Sequence, residues 1–347
     1  MATEQFWSVT QSMERPLQFG DSVGESKIRN VKALDTSMIA SNGSSVGAFL
    51  LLGFSDVPQL QSLLFAMFFL MYLLAVTGNL LLVILITLNN HLLQAPMYLF
   101  LRTFCLAEIA LISVTVPKML SILWVGEGWI SFLGCATQMY FFLCIGSTEC
   151  FLLAVMAYDR YVAICLPLHY ATIMTLRRCH WLSVGCWLGG LVFPAGQVTF
   201  TISLPYCSSH VVDHFFCDIS PVLTLACDHP LMNQVLIWVN SILILVIPFH
   251  LVLVSYARIL SAILGMHSSA GRRKAFSTCS SHLLSVCLFY GTGSATYLRT
   301  SLRQSGDSDK SMALLYCVIT PMLNPLIYGL RNKEVKKSLV KIAAGRS

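Results

Sequence analysis

Residues Cys135 to Pro167 read CATQMYFFLCIGSTECFLLAVMAYDRYVAICLP. For about 23 residues this stretch is apolar and free of proline, long enough at about 1.5 Å per residue to cross a hydrocarbon core about 30 Å thick. It nevertheless carries one acid, Glu149, in its middle, and an Asp159-Arg160-Tyr161 triplet where the helix would meet water. Ionisable groups at such depths are costly in lipid and usually serve a site. The stretch therefore predicts a membrane helix with a functional role.

Composition assigns the whole chain to the membrane. Of its 347 residues, 56% are hydrophobic and only 11% are charged, which is too few charges to coat a soluble domain. The net charge of +6 would suit a nucleic-acid partner, but Lys and Arg cluster in loops between apolar spans, where membrane topology explains them. We therefore predict a multi-pass membrane protein that has no nucleic-acid partner.

The apolar segments predict the fold class, an all-α membrane protein built as a seven-helix bundle. An extracellular tail is expected over 1–58, the bundle over 59–330, and a cytoplasmic tail with a short amphipathic helix over 331–347. The spans are predicted at 62–88, 97–122, the stretch quoted above, 181–201, 231–260, 275–297 and 312–330.

Basic residues in the loops give the orientation. Between Trp181 and Ala257 there is no Lys or Arg, whereas Arg177-Arg178 and Arg272-Arg273-Lys274 gather at ends that are therefore cytoplasmic. An odd number of spans then leaves the amino-terminal tail outside. In that tail, Asn42 opens an Asn-Gly-Ser glycosylation acceptor.

Four motifs carry a resemblance to a known family: MAYDRYVAIC (156–165), PMYLFL (96–101), KAFSTCSSHL (274–283) and PMLNPLIYGLRN (321–332). In these motifs the chain resembles the odorant receptors, a branch of the rhodopsin-like G-protein-coupled receptors. It departs from the family pattern in the 37 residues before Met38 and in Glu108, where the family more often has Asp. Two alternatives stand for the segment before Met38: it is disordered, or Met38 is the working start.

The resemblance implies a function. It predicts a plasma-membrane receptor that binds a small volatile odorant and activates a stimulatory, olfactory-type heterotrimeric G protein to raise cyclic AMP. The alternative from another class is a seven-helix transporter or channel with a buried acidic ion site, which the lack of internal repeats disfavours. A retinal pigment would need an interior Lys in the seventh span for a Schiff base, and this chain has Lys310 only at the outer edge of that span. No nucleophile with its base indicates an enzyme.

The cytoplasmic end of the third span is the predicted switch. Arg160 lies eleven residues after Glu149, about three turns along the same helix face, and so points inward. By resemblance, Asp159 holds the Arg160 guanidinium at rest, and Tyr256 and Tyr328 offer it hydroxyls in the active state. The predicted set for activation and G-protein coupling is Asp159, Arg160, Tyr161, Tyr256, Lys274 and Tyr328.

Glu108, Glu149 and Asn324 fall at corresponding mid-membrane depths on three spans. Two acids there must face the bundle interior and share a cation, a proton or water. The resemblance implies a sodium and water pocket, while the alternative is a protonated hydrogen-bond network. Apart from this structural sodium, no cofactor is expected.

The cysteines predicted on the outside are Cys135, Cys207, Cys217 and Cys227, and their spacing allows three pairings. The resemblance implies Cys135 with Cys217 and Cys207 with Cys227, which would hold the long loop over the bundle as a lid. A metal site formed by His214, Cys217 and Asp218 is disfavoured, since a disulfide-bonded cysteine supplies no thiolate.

The ligand pocket is predicted from one helix face and from similarity. Met139, Phe142, Leu143 and Gly146 follow the i, i+3, i+4, i+7 pattern on the outer half of the third span. By similarity this face lines a mostly apolar pocket beneath the lid, although plain helix packing would give the same stripe. The other predicted lining residues are Ser147, Asn240, Ser241, Tyr290, Gly293, Ser294 and Tyr297.

Overall fold

A computed structural model describes residues 47–54, 57–206, 210–227, 231–301, 307–331 and 335–336. Several predictions concern positions outside these ranges and stay predictions: the glycosylation site at Asn42, the segment before Met38, and most of the tail at 331–347. The side chains of Lys274, Ser294 and Tyr297 are likewise outside what is described.

Seven long helices form the body of the described structure. We label them α1 (Gln61–Leu88), α2 (Pro96–Val125), α3 (Phe132–Cys165), α4 (Leu176–Ile202), α5 (Leu231–Leu264), α6 (Ser269–Ser301) and α7 (307–331). Each overlaps a predicted span, and most extend beyond it by several residues at one or both ends. Short helical segments lie at Pro58–Leu60, Asn90–Leu93, Pro167–His169, Tyr170–Ile173 and Ile219–Leu223.

Local chemistry fixes several helix ends. Pro96 occupies the first turn of α2, where a missing N–H costs nothing, and Gly126 closes that helix in the left-handed conformation with φ 78°. The side chains of Ser131 and Thr175 accept hydrogen bonds from backbone N–H groups at the starts of α3 and α4. Polar caps therefore begin α3 and α4, and a glycine ends α2, near the predicted membrane boundary.

By length and composition, six of these helices are able to cross a membrane, all except α6. Helix α6 has 33 residues, more than a span needs, but it is rich in Ser and Thr and begins with Arg272 and Arg273. It packs against α3, α5 and α7 and completes the predicted seven-helix bundle. Its polarity follows from its inward-facing side chains, because Ser281, His282 and Ser285 are all buried.

Two of the helices contain a π-helical turn, at Ile242–Val246 in α5 and at Leu315–Ile319 in α7. Each turn is followed within two residues by a proline, Pro248 or Pro321, which lacks the N–H that a regular α-helix would use. Such insertions change which residues face the bundle interior and often occur at functional sites.

A small sheet covers the outer end of the bundle. Its strands are β1 (Ala48–Leu51), β2 (Trp129–Ser131) and β3 (Val211–Val212), in the order β2-β1-β3. Strand β1 pairs antiparallel with β2 and parallel with β3. Within the predicted extracellular tail, 1–58, residues 48–51 thus form the central strand of this sheet.

Close approach at Gly128 makes this pairing possible. The Leu51 N–H donates to the Gly128 carbonyl at 3.0 Å, and a Cβ on Gly128 would lie 1.9 Å from the Leu51 carbonyl oxygen. Phe49 and Leu51 of β1 are almost fully buried. The amino-terminal strand is thus part of the packed structure at the mouth of the bundle.

Candidate functional site

The loop between α4 and α5, described at 203–206 and 210–227, covers the outer end of the bundle, and we call these described residues the lid. A disulfide joins Cys135 in the first turn of α3 to Cys217 in the lid, with the Cα atoms 5.4 Å apart. Gln138 supports the junction, since its Oε1 accepts from the Cys217 N–H at 2.9 Å while its Nε2 donates to the Val114 carbonyl at 2.9 Å. The first predicted pairing is confirmed. The second stays a prediction, because Cys207 lies outside the described residues.

Aromatic packing seats the lid on α3. Phe215 and Phe216 are almost fully buried, and the Phe216 ring centroid lies 4.7 Å from that of Phe142. His214 stacks on Phe215, and burial together with the charge of Lys310 lowers the pKa of His214 to about 4. The imidazole is therefore neutral at physiological pH, and its Nδ1 accepts from the Phe216 N–H at 3.4 Å. HFFCD is a packing segment, and its cysteine is in the disulfide.

An ion pair joins the lid to α7. Lys310 Nζ lies 2.6 Å from Asp213 Oδ1, with Lys310 largely buried and Asp213 exposed. Lys310 thus stands at the outer end of α7, beside the lid.

Beneath the lid lies a cavity of about 320 Å³ bounded by α3, α4, α5, α6 and α7. Eight of the eleven predicted ligand residues line it: Phe142, Leu143, Gly146, Ser147, Asn240, Ser241, Tyr290 and Gly293. Met139 does not line it, which corrects that prediction. It packs under the lid disulfide against Cys135, Cys217 and Val198, one turn too close to the outer surface.

Several residues that line the cavity were not predicted from the sequence. Gln197 comes from α4, Phe216 and Asp218 from the lid, and Tyr316 and Cys317 from the π-helical turn of α7. Of these, only Asp218 stands out in the sequence, as an acid next to a lid cysteine, and that pattern suggests a metal ligand rather than a cavity residue. The others lie in elements whose approach to the cavity depends on tertiary packing.

Most of the cavity's polar groups are bonded within the protein. Asn240 Nδ2 donates to Gln197 Oε1 at 2.8 Å, and Ser147 Oγ donates to the Leu143 carbonyl at 2.6 Å. Asp218 is half-buried, and its Oδ1 accepts from the Ile219 N–H at 2.7 Å. Burial raises the pKa of Asp218 to about 6, so the carboxylate is ionised at physiological pH.

Gly146 and Tyr316 fit each other closely at the inner side of the cavity. A Cβ on Gly146 would lie 2.6 Å from the Tyr316 hydroxyl oxygen. The Tyr316 ring contacts Phe142 and Phe289, with centroid distances of 5.9 and 5.4 Å. Gly146 therefore gives a side chain of α7 the space to reach across the cavity to α3.

Two of the three residues predicted for the ion pocket, Glu108 and Asn324, are hydrogen-bonded to each other. Asn324 Nδ2 donates to Glu108 Oε1, and Asn324 Oδ1 accepts from Ser285 Oγ at 2.9 Å. Glu149 is almost fully buried, and its Oε1 has no hydrogen-bond partner in the described part of the chain. Glu108 Oε2 is also without one there. Two buried carboxylate oxygens are thus open to a cation, a proton or water, which fits the chemistry of an oxygen-ligand sodium site.

At the cytoplasmic end an ion pair and a tyrosine form what we call the ionic lock: Arg160, Asp159 and Tyr170. Asp159 Oδ2 lies 2.5 Å from Arg160 Nη2 and 3.1 Å from Nε, while Asp159 Oδ1 accepts from the Tyr170 hydroxyl at 2.8 Å. The pairing of Asp159 with Arg160 agrees with the resting arrangement that the resemblance implies. Tyr170, at the start of the short helix that follows α3, was not predicted from the sequence. Burial and the Asp159 charge raise its pKa, which keeps the hydroxyl protonated and able to donate.

Tyr256 and Tyr328, the two tyrosines predicted to contact Arg160 in the active state, are not hydrogen-bonded to it here. The Tyr256 hydroxyl lies 2.7 Å from His282 Nδ1, and His282 Nε2 lies 3.1 Å from the Leu153 carbonyl. Because a carbonyl only accepts, Nε2 carries the hydrogen and Tyr256 donates to Nδ1. The buried Tyr328 hydroxyl has no hydrogen-bond partner within the described residues. Neither tyrosine hydroxyl is bonded to Arg160 in this conformation.

A covered cavity at one end of a helix bundle and an arginine restrained by charge at the other define a rhodopsin-like G-protein-coupled receptor. Sequence comparison narrows the class. The family profile described as olfactory receptor matches residues 68–346, and the chain belongs to that family.

Curated human proteins give the same assignment. Human olfactory receptor 10A7 is 50% identical over 299 residues, covering 86% of this chain and 94% of that receptor. Human olfactory receptor 10C1 is 49% identical over 301 residues, covering 87% of this chain and 96% of that receptor. Family membership makes the chain an odorant receptor and a multi-pass membrane protein, from a family of receptors that are not enzymes. It also selects the receptor over the transporter or channel.

Proposed function

We propose that this receptor binds small volatile molecules in the cavity beneath the lid and thereby activates a stimulatory, olfactory-type heterotrimeric G protein, raising cyclic AMP. The observation that carries the proposal is the layout of α3. One helix lines the cavity with Phe142 and Gly146, carries Glu149 at its middle, and ends in Arg160 of the ionic lock.

The cavity supports a small and mainly apolar ligand. Its volume of about 320 Å³ lies at the small end of ordinary ligand sites, and the lid closes it from above. Its walls are mostly aromatic and aliphatic, including Phe142, Leu143, Ile237 and Phe289. Burial of an apolar odorant in such a site provides affinity, and the few polar groups set its orientation.

The ionic lock supports coupling at the opposite end. A two-state bundle responds to a ligand that binds one state more tightly than the other. In the state described, Asp159 holds Arg160 and accepts a hydrogen bond from Tyr170, and Tyr256 is bonded to His282. We propose that ligand binding favours a second state in which Arg160 is released toward Tyr256 and Tyr328, opening a cytoplasmic cleft for the G protein.

We further propose that the receptor acts at the plasma membrane with its amino terminus outside. The disulfide and the sheet containing β1 lie at one end of the bundle, where an oxidising compartment is required. Arg272 and Arg273 begin α6 at the other end, consistent with a cytoplasmic location.

A sodium ion held by Glu108 and Glu149 is part of the proposal. When bound, it would offset one buried negative charge and favour the resting state. Replacing sodium with N-methylglucamine should raise basal nucleotide exchange in wild-type membranes but not in Glu149→Gln membranes. An equal rise in both would contradict the site.

The main experiment is a screen of cells expressing the receptor against a chemically broad panel of volatiles, read by cyclic AMP and by GTP exchange on the stimulatory G protein. At least one volatile should raise both signals in proportion to surface receptor. Uptake of labelled solute by receptor vesicles without nucleotide exchange would instead indicate a transporter.

A further inference from the structure

We propose that Asp218 makes the cavity selective for ligands that donate a hydrogen bond, with protonated primary amines the most favoured and carboxylic acids the least. This inference rests on the proposed function, because it names the ligand class of the same cavity. From the sequence alone, Asp218 was considered only as a possible metal ligand.

The first step is the position of the carboxylate. Asp218 immediately follows the disulfide cysteine Cys217, which is tied to α3, so the lid has little freedom to carry the acid away. The side chain lines the cavity and is half-buried, and Cys317 of α7 lines the same cavity. The acid therefore faces the ligand space.

The second step is the free acceptor capacity of the carboxylate. Asp218 Oδ1 accepts from the Ile219 N–H at 2.7 Å, which fixes the orientation of the group. Among the residues that the structure describes, none donates to Oδ2. An ionised carboxylate has about four acceptor positions, so most of them are available to a ligand. The pKa of about 6 leaves the group charged at physiological pH.

The third step is the charge balance around the acid. No Lys or Arg is among the described residues that line the cavity. The nearest cation in the lid region, Lys310, pairs with Asp213 at 2.6 Å and does not line the cavity. A negative charge in a largely apolar space attracts a cation or a donor strongly and repels a second carboxylate.

The neutral polar groups act in the same direction. Ser147 Oγ donates to the Leu143 carbonyl, Tyr290 Oη to the Cys150 carbonyl at 3.4 Å, and Asn240 Nδ2 to Gln197. Ser147 and Tyr290 each use their one hydroxyl hydrogen within the protein and keep acceptor capacity toward the cavity, while Asn240 keeps its carbonyl oxygen and one N–H. A ligand that brings its own donor is therefore better matched than one that brings only acceptors.

The test uses aliphatic compounds that share one carbon skeleton and end in a primary amine, an alcohol or a carboxylic acid. Binding is measured as thermal stabilisation of the purified receptor, and signalling as cyclic AMP in cells. For the wild type we expect affinity to fall in the order amine, alcohol, carboxylic acid. For Asp218→Asn the amine should lose about ten- to a hundredfold in affinity, with a smaller loss for the alcohol.

The variants are chosen so that the fold survives. Asn keeps the oxygen that accepts from the Ile219 N–H. If Asp218→Asn fails to reach the surface, Asp218→Ser is used instead, because Ser is also a good capping residue. Glu127→Gln is the matched control, since Glu127 is an exposed acid outside the cavity and its removal should leave the ranking unchanged.

Three results would overturn the proposal: tighter binding of the carboxylic acid than the amine, an unchanged amine-to-acid ratio in the neutral Asp218 variants, or no binding of the amine at all. Failure of the proposed function is distinguishable from these. It would give the predicted binding order without cyclic AMP, whereas failure of this inference alone would give cyclic AMP responses to volatiles with a different ranking.

Discussion

The two ends of α3 are held in opposite ways. The outer end is held covalently, by the disulfide between Cys135 and Cys217, and is covered by a sheet that includes the amino-terminal strand. The inner end is held by reversible charge, through Arg160, Asp159 and Tyr170. The covalent end preserves the shape of the cavity, while the charged end can exchange partners. A receptor needs both properties, a cavity that persists and a contact that breaks.

Loss of the covalent end should have the most severe consequence. Cys217→Ser removes a cross-link that closes a long loop, with a sequence separation of 82. Removing such a bridge typically costs about 2 to 5 kcal/mol and would also release Phe215 and Phe216 from their buried positions. We expect almost no receptor at the cell surface, measured by antibody labelling of intact cells.

Cys287→Ser serves as the control for that variant, because Cys287 is an exposed free thiol on α6. It should reach the surface as the wild type does. Adding Cys135→Ser to Cys217→Ser should cause no further loss, since both changes remove the same bond. Normal delivery and signalling of Cys217→Ser would show that the lid does not depend on the bridge.

Removing the charge at the inner end should abolish signalling but not delivery. In Arg160→Ala the guanidinium that we expect to contact the G protein is gone, while Asp159 keeps its hydrogen bond from Tyr170 at 2.8 Å. We expect no odorant-induced cyclic AMP at near-normal surface density. Arg177→Ala, which removes an exposed positive charge at the same end, should signal normally. A full response from Arg160→Ala would mean that the ionic lock is only a structural anchor.

Between the two ends, Gly146 tests how the cavity communicates with α7. A Cβ there would lie 2.6 Å from the Tyr316 hydroxyl oxygen, so Gly146→Ala must displace that side chain into the cavity. Overpacking of this kind costs about 1 to 3 kcal/mol, and we expect about a tenfold or larger rise in the odorant concentration giving half-maximal cyclic AMP.

Tyr316→Phe provides the matched rescue for that change. It removes the hydroxyl that the new methyl group would meet and keeps the ring against Phe142 and Phe289. The double variant Gly146→Ala, Tyr316→Phe should recover much of the lost sensitivity. If the double variant is no more sensitive to the odorant than Gly146→Ala alone, the loss of sensitivity in Gly146→Ala does not come from a clash with the Tyr316 hydroxyl.

The sequence predicted the parts of this structure that depend on local pattern. Hydropathy and length located the seven helices, and the spacing of Phe142, Leu143 and Gly146 identified the cavity face of α3. The inward position of Arg160 followed from its distance along the helix from Glu149.

What the sequence did not predict depends on long-range packing. Tyr316 reaches the cavity from a π-helical turn, which shifts the helical register that a periodicity argument assumes. Met139 has the correct periodicity but is covered by the lid disulfide. Strand β1 has only four residues and is stabilised by partners far along the chain, including the close approach at Gly128.

Tyr170 provides the finest adjustment of the inner end. Its hydroxyl donates to Asp159 Oδ1, leaving Oδ2 to hold Arg160, so it orients the carboxylate without replacing the ion pair. Tyr170→Phe removes one hydrogen bond to a charged group but keeps the ring, and the ion pair remains. We expect basal cyclic AMP per surface receptor to rise about two- to tenfold, with the odorant-stimulated maximum unchanged. Tyr158→Phe, which alters an exposed tyrosine on α3, is the control and should leave basal signalling unchanged. Basal signalling that stays at the wild-type level in Tyr170→Phe would show that Asp159 holds Arg160 equally well without this contact.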